Sequence, residues 1–220
     1  MRAYTRYAMI LFKQRSFHMN IYEKRSIRSY QKKADHYDKT FDGRFTFPFK
    51  EKLLEIVNIP VGGNLLDVAC GNGRLLQMLS ARYSFNGFGA DISEKMIENA
   101  GRLNPSMTFR NARCDALPFE DGSFDVITVS VAFHHFPDVK GFAKEARRVL
   151  KPDGMLYIAE VYYPGLIRIM YNPLIKLSRA GDVKLYAPEE IIMNFEKTGF
   201  TLEMVEKEGH IQIVGVRKTR

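Results

Sequence analysis

Leu65-Leu66-Asp67-Val68-Ala69-Cys70-Gly71-Asn72-Gly73 is the stretch on which the fold turns. It reads as an apolar strand over 64–69 that takes in an acidic residue, then a turn of small residues. A helix over 74–83 follows, with Leu75, Leu76 and Leu79 on its inner side. Glycine at 71 and 73 lets the backbone approach a ligand closely at the carboxyl end of the first strand, where open α/β sheets bind ligands. A purely structural β–α turn has the same composition, so the loop needs support from its neighbours.

A dinucleotide fingerprint would place glycines at 69, 71 and 74, but those positions hold Ala69, Gly71 and Arg74, a poor match to NAD or FAD. No GxxxxGK[ST] phosphate loop is present. Asp91 closes the next strand, 24 residues after Asp67, where a carboxylate can accept from both hydroxyls of a ribose. Its plain alternative is an acidic residue favoured by the dipole of the helix that follows.

Outward from this unit, short apolar runs alternate with helical patterns. Strands are expected over 85–90, 107–110, 125–131 and 155–161. Helices are expected behind Ser93 as N-cap (stripe Met96, Ile97, Ala100, Leu103) and over Phe142, Ala146, Val149 and Leu150, ended by a turn at Pro152-Asp153-Gly154. Strict alternation of this kind predicts right-handed crossovers and a doubly wound parallel sheet. A last helix starts at Pro188 and stops before Gly199. Strands over 200–205 and 211–216 are then joined by only the Glu206–His210 turn, too short for a parallel crossover, so they pair antiparallel. The expected fold is α/β: a doubly wound, seven-stranded, mostly parallel sheet with one antiparallel strand near its edge. Two helices precede it. Ile27, Tyr30, Ala34, Tyr37 and Phe41 lie on one stripe, and Phe49, Leu53, Ile56 and Val57 form the buried side of a helix after Pro48. The chain divides into a basic N-terminal extension with cap helices (1–60) and a core (61–220), whose insertion 162–187 is expected to form a substrate lid.

The sequence resembles the class I S-adenosylmethionine-dependent methyltransferases, in the branch of the ubiquinone/menaquinone-type C-methyltransferases. LLDVACGNG (65–73), GADIS (89–93), RCDALPFEDGSFDVI (113–127), FHHFPD (133–138) and LKPDGMLYIAE (150–160) carry the resemblance, in order and at the family's spacing. It implies S-adenosyl-L-methionine as cofactor. Asp67, Ala69, Gly71 and Gly73 would lie around its methionine end, Asp91 on the ribose, Ile92 and Met96 beside the adenine, Asp115 and Ala116 on the adenine edge, and Ser130 near the transferring methyl. The family's usual first loop glycine is Ala69 here. A sulfonium methyl is already activated, so the protein mainly aligns a nucleophile and excludes water. His134, His135, Tyr37, Tyr162 and Tyr163 are the candidates for a base. No metal-ligand pattern is read.

Composition narrows the classes further. Among 220 residues, 45% hydrophobic content with 16 Phe and 11 Tyr is enough for a large core, and two cysteines are too few for a disulfide scaffold. The longest early apolar run, Ala8–Phe12, is far too short for a signal core or a span, so a cytoplasmic protein is expected. Met1–His18 is basic and aromatic without periodicity, and Met19 opens a more ordinary start. The net charge of +8 is concentrated in residues 1–60, with 13 Lys and Arg against 6 Asp and Glu. A solvated basic tail accounts for that, and nucleic acid is not the expected substrate. Strand four ends in Val129-Ser130-Val131-Ala132 and lacks both the [DN]PP[YF] of exocyclic-amine methyltransferases and the Pro-Cys of cytosine C5 enzymes. A small, partly apolar methyl acceptor is expected, and the oligomeric state is left open. Two alternatives stand beside this reading: an NAD-dependent reductase on a similar sheet, and a non-catalytic cofactor-binding or RNA-associated module.

Overall fold

The computed structural model describes residues 19–220, so the expected extension over residues 1–18 lies outside the described residues. Asn20 accepts from the amides of Tyr22 and Glu23 while Glu23 accepts from the Asn20 amide at 2.8 Å, a reciprocal cap that starts α1 (Ile21–Lys33). A 3₁₀ segment, Ala34–Lys39, follows and is broken at His36, whose φ of −136° is not helical. Thr40 then caps α2 (Phe41–Ile56) by accepting from the Gly43 amide at 3.1 Å. The single stripe expected from Ile27 to Phe41 is therefore split across three segments, and Phe41 is 74% exposed. Spacing hid the break because a 3₁₀ turn also returns every third residue to one face. Helix α2 starts seven residues before Pro48, which sits inside it.

Among the described residues seven strands form one sheet: β1 (Asn64–Val68), β2 (Asn86–Asp91), β3 (Thr108–Asn111), β4 (Phe124–Ser130), β5 (Leu150–Val161), β6 (Phe200–Glu208) and β7 (Ile211–Lys218). Their order is β3-β2-β1-β4-β5-β7-β6, with β7 antiparallel to both neighbours and every other pairing parallel. The Pro152-Asp153-Gly154 turn proves to be an irregularity within β5, where the register against β4 shifts and Asp153 has φ +61°. The terminal hairpin turns on Gly209-His210 alone, with Gly209 at φ +56°.

Helices α3 (Arg74–Ser80), α4 (Glu94–Leu103), α5 (Val139–Val149), α6 (Gly165–Ile175) and α7 (Pro188–Glu196) complete the described residues. Two cores result. Leu66, Val68 and Ile127 pack with Phe142, Ala146, Ile191 and Phe195, while Leu65 and Val126 pack with Phe49, Leu53, Leu75, Leu76 and Leu79. Successive β1 residues thus face opposite layers, as a strand covered on both sides requires. Helix α6 has no buried residue, and Leu166, Ile169, Met170 and Leu174 are all exposed. Among the described residues no helix is long and apolar enough to cross a membrane. After β1 the chain runs outward to β2 and β3, then returns to place β4 on the other side of β1. The carboxyl ends of β1 and β4 therefore flank a crevice of the kind that binds ligands.

Candidate functional site

The carboxyl ends of β1, β2 and β4 line a cavity that opens to solvent. In the loop after β1, Ala69, Gly71 and Gly73 have φ of 57°, 52° and 76°. Glycine adopts that region freely, whereas an alanine held there is strained by roughly 1–2 kcal/mol. Strand β2 ties the loop down: the Gly71 amide donates to Asp91 Oδ2 at 2.9 Å and the Ser93 amide to Oδ1 at 2.8 Å. A Cβ on Gly71 would meet nothing within 4 Å, so that face of the loop opens into the cavity. Gly73 serves packing instead. A Cβ there would press on Asn104 and Ala100, so its glycine lets α3 lie against α4, and it is not on the cavity wall.

Asp67 is 2% exposed, and the Thr128 hydroxyl donates to its carboxylate at 2.8 Å. Burial pushes its pKa up to about 7. Lys50 of α2 reaches the same cavity, donates to the Thr46 hydroxyl at 2.8 Å, and is pulled down to about 8 by burial. Asp91 is raised by burial, an effect the amides of Ser93 and Gly71 partly offset. Ile92 and Met96 continue the wall, and Ser130 closes it at the end of β4. The buried Ser130 hydroxyl has no hydrogen-bond partner among the described residues. An orphan of this kind costs roughly 1–3 kcal/mol until something binds it.

Asp115 and Ala116 are not on this wall. Arg113 grips the Asp115 carboxylate at 2.7 and 2.8 Å and pairs at 2.5 Å with Glu23, which is buried in the first turn of α1. Ala112, Arg113 and Cys114 line the cavity in their place.

A second cavity shares Tyr30, Tyr37, Val131 and His135 with the first. Its far walls come from Phe45 of α2 and from Ile167, Tyr171 and Ile175 of α6. Val131, at the junction, has φ +49°, a strained setting for a β-branched residue. Of the candidate bases, Tyr37 and His135 stand where the cavities meet, whereas His134 and Tyr163 face only the second. Tyr162 lines neither, and the Lys207 ammonium lies 4.9 Å over its ring. Burial pushes Tyr37 up to about 12, so its phenol stays protonated at neutral pH. Burial pulls His135 down to about 4, helped by the charge of His134. Burial also works against the charged form of His134. Glu160, with both oxygens 2.9 Å from Nδ1, and Asp182 outweigh that effect and hold His134 above its ordinary value.

Lys50, Glu160, Asp182 and the Glu23–Arg113 pair are absent from the expected set. Two of them left a trace in the sequence. Lys50 follows Phe49 on the buried stripe of α2, and Glu160 is the lone charge in the apolar run 156–161.

The family model described as "Methyltransferase domain" matches residues 66–158. A demethylmenaquinone methyltransferase of Staphylococcus aureus (strain JH9) is 31% identical over 180 residues, which cover 75% of this chain and 75% of that one. The chain belongs to the class I S-adenosylmethionine-dependent methyltransferases, in the ubiquinone/menaquinone branch. The chain is also 43% identical over 105 residues to a 2-methyl-6-phytyl-1,4-hydroquinone methyltransferase of Synechocystis sp., across 46% of this chain and 33% of the relative. The chain thus spans between 33% and 75% of the length of these curated relatives. In structure it is similar to an S-adenosylmethionine-dependent methyltransferase from Thermotoga maritima, with a TM-score of 0.71 and 19% identity, over 88% of this chain and 100% of that one. Family membership sets the reductase alternative aside.

The first cavity suits the family's cofactor chemically. Carboxylates answer an ammonium and a pair of ribose hydroxyls, the Lys50 ammonium answers a carboxylate, and the loop over Gly71 leaves room that a side chain would fill.

Proposed function

We propose that this chain transfers the methyl group of S-adenosyl-L-methionine to a ring carbon of a hydroquinone bearing an apolar substituent, acting in the cytoplasm. The junction of the two cavities carries the proposal: a polar cradle and an aromatic, aliphatic chamber share Tyr30, Tyr37, Val131 and His135. Methyl transfer needs donor and acceptor atoms in line at roughly 3–3.5 Å, and only a shared wall allows that. The names of the Synechocystis and Staphylococcus relatives, both quinone-type methyltransferases, support the acceptor class.

When bound, the cofactor supplies a sulfonium methyl that needs no further activation. The chain's task is to bind, orient and keep out water. In this reading Asp91 accepts from the ribose hydroxyls, while Asp67 and Lys50 take the ammonium and carboxylate of the methionine end. Ala69 and Gly71 give the loop its curvature, and Ile92 and Met96 flank the adenine. Ser130 gives its orphaned hydroxyl a partner at the methionine end. The adenine edge falls beside Arg113 and Cys114, with Asp115 acting through its grip on Arg113. Tyr37 and Tyr30, protonated at neutral pH, donate to an acceptor oxygen and hold the ring face toward the methyl. The proton displaced from the methylated carbon is released to water as the ring regains its aromaticity. Residues 162–187 form the outer wall, with Ile167, Tyr171 and Ile175 receiving the apolar substituent.

The test is a panel of acceptors with methyl-labelled cofactor: hydroquinones with and without an aliphatic tail, simple catechols, RNA and bulk protein. Label is expected on the tailed hydroquinone, with kcat/KM lower by about tenfold or more for a protein lacking residues 166–184, as befits lost apolar contacts worth over 1 kcal/mol. Transfer to RNA or protein alone would overturn the proposal.

A further inference from the structure

Three atoms able to ligate a metal gather at the edge of the second cavity. His134 Nε2 and His135 Nδ1 come from the 3₁₀ turn Phe133–His135 that follows β4, and Asp182 Oδ1 comes from the segment between α6 and α7. The Asp182 oxygen is 3.5 Å from His134 Nε2 and 3.2 Å from His135 Nδ1, and all three atoms lie within 4.8 Å of one another. Ligand atoms around a tetrahedral zinc ion, bonded at 2.0–2.2 Å, sit roughly 3.3–3.5 Å apart.

The far side of each ring is already committed. His134 Nδ1 lies 2.9 Å from both oxygens of Glu160, which is fully buried on β5, so a proton stays there and Nε2 is the nitrogen left to bind an ion in exchange for its own proton. Carboxylates hold metal-binding histidines in this way. His135 Nε2 lies 2.9 Å from the Tyr30 hydroxyl. His135 Nδ1 is buried 3.2 Å from the Asp182 carboxylate and makes no aligned hydrogen bond to it. Two ring nitrogens and a carboxylate oxygen gathered this closely, with no aligned hydrogen bond from either nitrogen to that oxygen, are a donor set that a shared cation can satisfy. Nor is the position of Asp182 accidental. The amide of its neighbour Val183 donates to the His134 carbonyl at 2.8 Å, and on its other side Gly181, at φ +86°, lies so close to α1 that a Cβ would run into the Tyr22 carbonyl.

We propose that His134 Nε2, His135 Nδ1 and the Asp182 carboxylate form a binding site for a divalent transition-metal ion of the zinc class. The imidazole and carboxylate donors suit that class better than calcium or magnesium. Three protein ligands leave a fourth position, and it opens on the second cavity beside Tyr30 and Tyr37. An oxygen of a small molecule in that chamber is the natural fourth ligand. The site needs no bound methyl donor, so it stands or falls independently of the reaction proposed above.

The test uses the whole protein, stripped with a chelator and desalted, then titrated with zinc alone by calorimetry and with cobalt(II) alone by visible absorption. One equivalent is expected to bind, with the intense absorption of a tetrahedral cobalt site. Zinc should raise Tm by mass action. Asp182→Asn and His134→Gln are expected to abolish the cobalt signature, and Glu160→Gln to weaken metal binding by about 10–100-fold through loss of the oriented ring. His36→Gln, on the exposed 3₁₀ segment, is expected to change nothing. Near-UV circular dichroism checks that each variant is folded. A wild-type protein that takes up neither metal, or a folded Asp182→Asn that binds as well as wild type, would overturn the site. Loss of methyl transfer with metal uptake intact would count against the proposed reaction instead.

Discussion

Asp91→Asn separates a loop that merely turns from one that holds a cofactor. The carboxylate anchors two backbone amides, Gly71 at 2.9 Å and Ser93 at 2.8 Å, and it stands on the cavity wall. An asparagine of the same size has one acceptor oxygen for those two amides and presents a donor to the other. Leaving one buried N–H unpaired costs roughly 1–3 kcal/mol, which for a chain of this length lowers Tm by roughly 2–12 °C. The ribose hydroxyls lose a charged acceptor as well. A charge-assisted hydrogen bond is worth about 1.5–3 kcal/mol, so the Kd for S-adenosylmethionine should rise about tenfold to a hundredfold. Calorimetry below the variant's Tm measures the Kd, and a thermal scan measures the stability. A variant that is destabilised as expected but binds the cofactor within twofold of wild type would show that Asp91 only buttresses the loop. The ribose assignment would then be wrong.

Other expectations follow from the same wall. Ala69→Gly should stabilise the protein by roughly 0.5–1 kcal/mol in urea unfolding, because relief of a left-handed alanine exceeds the entropy a new glycine adds; a loss of stability would mean the Ala69 methyl is needed for packing. Lys50→Met should weaken cofactor binding about tenfold while Tm holds or rises, since a buried ammonium is removed; equal affinity would place the methionine carboxylate elsewhere. Asp67, raised to about 7, ionises at a cost to the empty fold, so its contribution to stability falls as pH climbs from about 4 to about 7, and Asp67→Asn should remove that slope. A cofactor ammonium beside it favours the ionised form, so affinity should improve up to about pH 7 and decline again as Lys50 loses its proton above about 8; a pH-independent Kd would contradict both assignments.

The parallel core and its ligand loop were legible because their signals are local. An apolar run with an acidic residue, glycine punctuation and Ser93 as a cap each act within a few residues, and the Ser93 hydroxyl does accept from the Met96 amide, at 3.4 Å. Short links also decided the antiparallel hairpin. What stayed hidden depends on distance along the chain. Asp115 reads as a ligand group until Arg113, recruited by Glu23 of α1, claims its carboxylate. His134 and His135 are adjacent, a spacing that suggests no metal site, and Asp182 joins them only because the chain returns 47 residues later to bond the His134 carbonyl. The break at His36 was equally invisible, since apolar side chains keep their face through a 3₁₀ turn while the helix axis changes.

In the proposed reaction a methyl group passes from the polar cavity to a ring in the apolar one across Tyr37 and Val131. Incubating the protein with cofactor deuterated on its transferable methyl and a tailed hydroquinone, then locating the label in the product by NMR, tests it directly. An intact labelled methyl on a ring carbon and stoichiometric S-adenosylhomocysteine are expected. Cofactor bound at micromolar concentration but never turned over with any hydroquinone, while label moves to RNA, would contradict it.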